Sequence, residues 1–172
     1  MKIMDKQRRK LLFRLQDSHT SVMPWLKTES EFYDLCSRCN ACMNACETHI
    51  IELNQFSYPV INFKKGQGEC TFCYACANAC ELPLFLPQHE RPWLQVAQIN
   101  ANCLSLRQVE CRSCNDVCDE QAIKFLPQVG GHQIFLQQDK CTGCGACINT
   151  CPVEAISVVK VQHYFQEENH GF

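Results

Sequence analysis

The sequence predicts an α+β architecture of two tandem modules, each with short helices and small β-hairpins. Three observations lead there. A cysteine pattern recurs four times, β-branched and aromatic runs recur between the repeats, and a proline-rich stretch divides the chain near its middle.

The cysteine pattern comes first. Cys36-Cys39-Cys42-Cys46, Cys70-Cys73-Cys76-Cys80 and Cys141-Cys144-Cys147-Cys151 all follow C-x2-C-x2-C-x3-C. A further group, Cys111-Cys114-Cys118, keeps the last three places and has Gln108 at the first. The offset from Cys36 to Cys70 is nearly that from Gln108 to Cys141. Self-similarity at a fixed period marks repeated units, here two modules of two quartets each.

The runs between quartets supply the strands. HIIEL, NQFS and YPVINF follow the first quartet, and AIKFL, PQVGGH and QIFLQ follow the third. Short β-branched and aromatic runs around Asn, Gly and Pro predict β-hairpins. WLQVAQI, residues 93–99, predicts the first strand of the second module, and AISVV after Cys151 its last. LPLFLPQHERP contains Pro83, Pro87 and Pro92, which break helix and central strand. The boundary therefore falls near residue 90. The expected divisions are a basic N-terminal extension over 1–30, a first module over 31–89, a second over 90–162 and a tail over 163–172.

Composition sets the stabilising chemistry. The chain has 172 residues and is 46% hydrophobic, but 16 residues of that apolar set are Cys. A core this thin needs staples, and metal is one kind. The N-terminal MKIMDKQRRKLLFRLQDSHTSVMPW is basic, and its apolar run of Leu11, Leu12 and Phe13 is broken by Arg14. RRKLLF faintly echoes a twin-arginine signal but has no apolar h-region behind it. No stretch approaches the roughly 18 apolar residues of a transmembrane helix. These features predict a cytoplasmic chain with reduced thiols, where clustered Cys means metal or catalysis rather than disulfides.

Other chemistries find no support. A net charge of −2 gives no general basis for nucleic-acid binding. The six His are scattered without metal spacing. No catalytic triad order, H-E-x-x-H or phosphate loop is present, and GQG at 66–68 and GG at 130–131 read as turns. An enzyme with its own organic substrate is not expected.

The spacing itself points to a cubane. Thiols at i, i+3 and i+6 on a tight loop converge on one small object. The fourth thiol is expected to begin the helix and to reach the neighbouring cluster, as in two-cluster iron–sulfur proteins. Zinc favours C-x2-C pairs split by a longer spacer, so 4Fe-4S clusters are expected. Crossing the quartets assigns Cys36, Cys39, Cys42 and Cys80 to one cluster, and Cys70, Cys73, Cys76 and Cys46 to a second. Cys141, Cys144, Cys147 and Cys118 take a third. Cys111, Cys114 and Cys151 are left one thiol short.

Gln108 cannot fill that place, because iron–sulfur chemistry favours thiolate over amide. Cys103 is the one cysteine outside the regular pattern. It completes a fourth set through a longer loop. Otherwise it is a buried thiol, and three clusters remain.

These residues resemble bacterial polyferredoxins and, more closely, the ferredoxin-type family of periplasmic nitrate reductase systems. FYDLCSRCNACMNACE, GECTFCYACANAC, SLRQVECRSCNDVC and DKCTGCGACINTCPVEAI carry the resemblance, with the irregular third quartet, the early Arg8-Arg9 and Pro24-Trp25. The resemblance implies modules of the bacterial two-cluster ferredoxin fold. It also implies a cytoplasmic protein that binds the precursor of the catalytic nitrate reductase subunit and assists its maturation before export. The cysteine spacing by itself supports a second function, a soluble carrier passing single electrons between a reductase and an oxidoreductase.

Three smaller expectations complete the picture. Lys6, Arg8, Arg9, Lys10 and Arg14 surround Leu11, Leu12, Phe13 and Leu15, which makes a solvated face or a docking helix. Pro follows only Cys151, while Glu47, Glu81 and Asp119 follow the other fourth cysteines as helix-capping acids. Phe32, Tyr33, Phe72 and Tyr74 stand beside cysteines and are expected to pack against them.

Overall fold

The computed structural model describes residues 20–128 and 131–161. The basic segment, the Val129-Gly130 pair and the C-terminal tail lie outside the described residues. In the first half the elements are β1 (Thr20–Ser21), α1 (Glu29–Leu35), α2 (Ala41–Asn44), β2 (Ile51–Leu53), β3 (Pro59–Asn62) and α3 (Ala75–Asn78). In the second half they are β4 (Gln95–Ile99), a 3-10 turn (Ser105–Arg107), α4 (Ser113–Asp116), β5 (Ile123–Gln128), β6 (Gly131–Leu136), α5 (Ala146–Asn149) and β7 (Ile156–Lys160). Few short helices and small antiparallel sheets give the mixed α+β character that the sequence predicts.

Local chemistry explains the elements. Thr28 caps α1 by accepting the Glu31 N–H at 3.2 Å, and Glu29 and Glu31 sit in its first turn. Both place negative charge or an acceptor where the helix has free donors. The β2–β3 hairpin turns on Asn54, whose Oδ1 accepts from the N–H groups of Phe56 at 2.9 Å and Tyr58 at 3.1 Å. The β5–β6 hairpin pairs Ile123 with Leu136 and Gln128 with Gly131. Pro127 is tolerated there because the sheet has two strands and both are edges.

The two modules close differently. In the second, β4 and β7 pair antiparallel from Gln95↔Lys160 to Ile99↔Ile156. In the first, the same closure shrinks to one bridge, Leu26↔Phe85. The Lys27 N–H donates to Leu84 O at 3.0 Å and the Leu86 N–H to Trp25 O at 2.7 Å. Pro83 and Pro87 flank this segment and have no N–H to extend the ladder.

The segment expected as an extension up to residue 30 enters the fold at Thr20. β1 pairs with β3 in a sheet ordered β1-β3-β2. It also reaches the second module. Ser21 Oγ donates to Gln95 Oε1, and the Trp25 N–H to Pro92 O at 2.5 Å.

One apolar cluster runs through both modules, from Met23, Phe32, Ile50 and Phe63 to Trp93, Ile123, Ile148 and Ile156. Phe63 and Ile148 are fully buried. Each such side chain contributes about 1.5–3 kcal/mol, so the shared core ties the modules into one body. Among the described residues, no helix is long and apolar enough to cross a membrane.

Candidate iron–sulfur sites

The regular cysteine turns share one backbone device. The second cysteine of each is flanked on both sides by residues of positive φ. Arg38 (59°) and Asn40 (64°) flank Cys39, Phe72 (57°) and Tyr74 (66°) flank Cys73, and Gly143 (72°) and Gly145 (93°) flank Cys144. Alternation of this kind turns successive N–H groups toward one side and forms a concave nest for anions and iron–sulfur groups. On a non-glycine residue the conformation costs about 1–2 kcal/mol, which the packed surroundings must offset.

The remaining thiols follow from the short helices. The third cysteines, Cys42, Cys76, Cys114 and Cys147, lie within α2, α3, α4 and α5. The fourth cysteines were expected to begin those helices. Instead Cys46, Cys80, Cys118 and Cys151 lie just past the helix ends, so the third thiol rides the helix and the fourth leaves it. The Ala122 N–H donates to Cys118 Sγ at 3.3 Å and the Ala155 N–H to Cys151 Sγ at 3.2 Å. Each donor follows a positive-φ residue, Gln121 (48°) or Glu154 (50°). Pro83 holds the equivalent place after Cys80, and proline avoids positive φ.

The thiols of neighbouring turns lie close enough to act on one another, both within the expected crossed sets and between them. Burial pushes the Cys42 thiol up to about 11, with Cys36, Cys39 and Cys80 adding to the push. Burial likewise raises Cys76 to about 12, helped by Cys70, Cys42, Cys46 and Cys73. Cys46, Cys70, Cys73 and Cys76 line one small cavity. Cys147 is raised by burial and by Cys144, Cys141, Cys114 and Cys118. Cys118, Cys141, Cys144 and Cys147 line a cavity of about 260 Å³.

Cys103 lies near the irregular cysteine group. Cys114 is raised by burial to about 11, and the thiols that add to this are Cys103, Cys111 and Cys151. The insertion between Cys103 and Cys111 folds back through the 3-10 turn, where the Arg107 N–H donates to Leu104 O at 2.9 Å. Arg107 pins the turn with bonds to Ala101 O at 3.2 Å and Asn102 Oδ1 at 2.8 Å. Gln108 ends the turn in the left-handed region, φ 63°. Its backbone turns the corner that folds the chain back between Cys103 and Cys111. Arg112 beside Cys111 has φ −131°, so this loop lacks the regular paired-turn nest.

Donor type and spacing fit a cluster better than a single ion. All the gathered donors are thiols, and among the described residues no three Cys, His, Asp or Glu side chains are placed to hold one metal ion. A mononuclear zinc tetrahedron is thus not prebuilt. The expectation of capping acids is corrected. None of α2 to α5 has a side-chain cap, and Glu47 instead accepts from Thr71 Oγ1 at 2.5 Å, linking the first two turns. The aromatics beside the cysteines pack on other rings, with Trp25 edge-on to Tyr74 at 5.0 Å between centroids and Tyr33 edge-on to Tyr58 at 5.0 Å. His132 meets Arg112 Nη2 at 2.7 Å, and His19, His163 and His170 lie outside the described residues.

Two modules of paired cysteine turns define a ferredoxin-type iron–sulfur protein. The 4Fe-4S dicluster domain family matches residues 35–84 and again residues 109–155. The chain is 44% identical over 135 residues to the ferredoxin-type protein NapF of Escherichia coli K12, covering 78% of this chain and 81% of that protein. It is 43% identical over 136 residues to NapF of Haemophilus influenzae, covering 78% and 76%. It is also 28% identical over 145 residues to the methylamine utilization ferredoxin-type protein MauM of Methylorubrum extorquens, covering 74% and 66%. The chain belongs to the NapF ferredoxin-type family.

Sequence reasoning missed three contributors. The positive-φ residues flanking the second cysteines have no signal in Arg38, Phe72 or Tyr74, although Gly143 and Gly145 spell the same turn openly. The N–H donors of Ala122 and Ala155 leave no mark in side-chain identity. Trp93, which donates its indole N–H to Thr142 O at 2.8 Å, read only as a strand residue.

Proposed function

We propose that this protein carries four 4Fe-4S clusters and assists maturation of the catalytic subunit of a periplasmic nitrate reductase in the cytoplasm, before that subunit is exported. The ligands are Cys36, Cys39, Cys42 and Cys80; Cys70, Cys73, Cys76 and Cys46; Cys141, Cys144, Cys147 and Cys118; and Cys103, Cys111, Cys114 and Cys151. One observation supports the site assignment: Cys103 lies near enough to Cys114 to add, with Cys111 and Cys151, to the upward push on that thiol, so we assign to it the place that Gln108 leaves open. Membership of the NapF family, and the resemblance to ferredoxin-type proteins of nitrate reductase systems, support the partner. Bound clusters supply one-electron exchange at potentials tuned by ligands, hydrogen bonds and exposure. The chain itself turns over no organic substrate.

The irregular site is the donor end of this reading. Its loop is longer and lacks the paired-turn nest, so its thiols hold their group least tightly. The test combines the cluster-loaded protein with the cluster-free precursor of the catalytic subunit, without oxygen. Capture of the precursor and movement of radiolabelled iron into it support maturation by donation. Capture and electron movement without iron transfer would favour the carrier function, which the spacing alone supports. Absence of capture removes the proposed partner.

A further inference from the structure

The first-module turn over residues 69–72 forms a wall of the cavity that holds the second module's last cysteine turn. Glu69, Cys70, Thr71 and Phe72 line it together with Cys118, Cys141, Cys144 and Cys147. The Cys70 N–H donates to Cys144 O at 2.9 Å, so two ligand turns from different modules are joined directly by backbone. Phe63 and Phe72 both pack edge-on against Trp93, with centroids 6.1 and 5.9 Å apart. A Cβ on Gly145 would run into the Phe63 ring, and one on Gly68 into Asn149. Lys64 pairs with Glu154 at 3.2 Å across the same face. Within each module the two cysteine helices lie against one another, α2 against α3 and α4 against α5.

We infer that the four sites form one line, in the order Cys36 set, Cys70 set, Cys141 set and Cys103 set, and that the Cys70–Cys144 junction is the crossing between modules. This rests on the four-site assignment above. The chain is then a single conductor with its two ends in different modules, rather than two independent two-cluster units. With clusters bound, a crossing there would carry one electron from the group held by the Cys70 set to the group held by the Cys141 set. The donor group would be oxidised by one and the acceptor group reduced by one, with no bond made or broken and no proton moved. A one-electron redox protein at each end supplies and removes the electron.

The decisive variant removes both outer sets, Cys36→Ala/Cys39→Ala with Cys103→Ala/Cys111→Ala, in the full chain. Retention of about eight irons per chain is expected. The fully reduced variant should show an electron paramagnetic resonance spectrum broadened and split by interaction between its two centres. That splitting should collapse to a simple signal at half reduction. Eight irons with two non-interacting signals overturns the junction and leaves the ligand sets intact. Markedly fewer than eight irons in a folded variant overturns the four-site assignment, and the line with it. Should the variant fail to fold, hydrogen exchange on the wild-type oxidised protein decides. The Cys70 amide is expected to exchange about ten-fold or more slower than an open amide, and unprotected exchange there rejects the junction.

Discussion

Gly145 lies directly beneath the ring of Phe63, and there is no room for a Cβ between them. Gly145 belongs to the last cysteine turn and has φ 93°, while Phe63 is fully buried at the end of the first module's hairpin. Backbone need and packing need coincide at one residue. Gly145→Ala should therefore cost about 2–4 kcal/mol, combining left-handed strain with overpacking. Thermal unfolding of the loaded protein would register it, and iron should be lost selectively from the Cys141 set. A variant that melts within a degree of wild type would show that Phe63 moves aside freely.

Cys103 offers a sharper test of ligand identity. Cys103→Ser should lower iron by about four atoms per chain, from about sixteen to about twelve, and leave the other three sets filled. Iron and acid-labile sulfide analysis on anaerobically purified protein measures this directly. Unchanged iron would make Cys103 a bystander thiol.

Strain relief separates two positive-φ residues. Gln121 is exposed, and its side chain only accepts from Lys124 Nζ at 3.1 Å. Gln121→Gly should stabilise the protein by about 0.5–1 kcal/mol, since left-handed strain exceeds the added chain entropy. Arg38 holds the same conformation, but its guanidinium stacks 4.4 Å from the Tyr58 ring centroid and donates to Tyr58 Oη at 3.0 Å. Arg38→Gly should gain nothing or lose about 1 kcal/mol, because cation–π and hydrogen-bond losses offset the relief. Chemical denaturation of the pair checks the sign of each.

The buried thiols predict how the cluster-free protein responds to pH. Burial raises Cys70 and Cys76 from the ordinary 9.0 to about 12. The folded state then holds protons that the unfolded state releases first. Their contribution to stability is full below about pH 9 and is lost as pH climbs toward 12. Melting temperature of the cluster-free chain should fall between pH 8.5 and about 10.5, while the loaded protein, whose thiolates are already committed, changes less. Equal slopes for the two forms would contradict the burial of these thiols.

Much of this molecule is legible in sequence because covalent spacing dictates it. The quartets converge by chain length alone, and the hairpins at Asn54 and around β5–β6 follow from turn chemistry flanked by β-branched residues. What stayed hidden depends on three dimensions. Nothing in Arg38, Phe72 or Tyr74 announces positive φ, because those residues disfavour it locally and only the assembled turn imposes it. The entry of Thr20–Ser21 into the first sheet is invisible in a two-residue strand followed by Pro24. Cys103 could be nominated by elimination, but its approach to Cys114 required the 3-10 fold-back that Arg107 pins. Glu47 shows the opposite error, since an acid after a helix was read as a cap when its partner lies on the next turn.

The bond from Ser21 to Gln95 spans 74 positions of sequence, and it has a consequence for how the chain is made. A ribosome releases Ser21 long before it has synthesised Gln95, whereas the backbone partner of Ser21, β3, emerges much sooner. Chains generally fold domain by domain as they emerge. The first sheet can therefore form in its own module, and its side-chain tie to the second module closes only after both have been made.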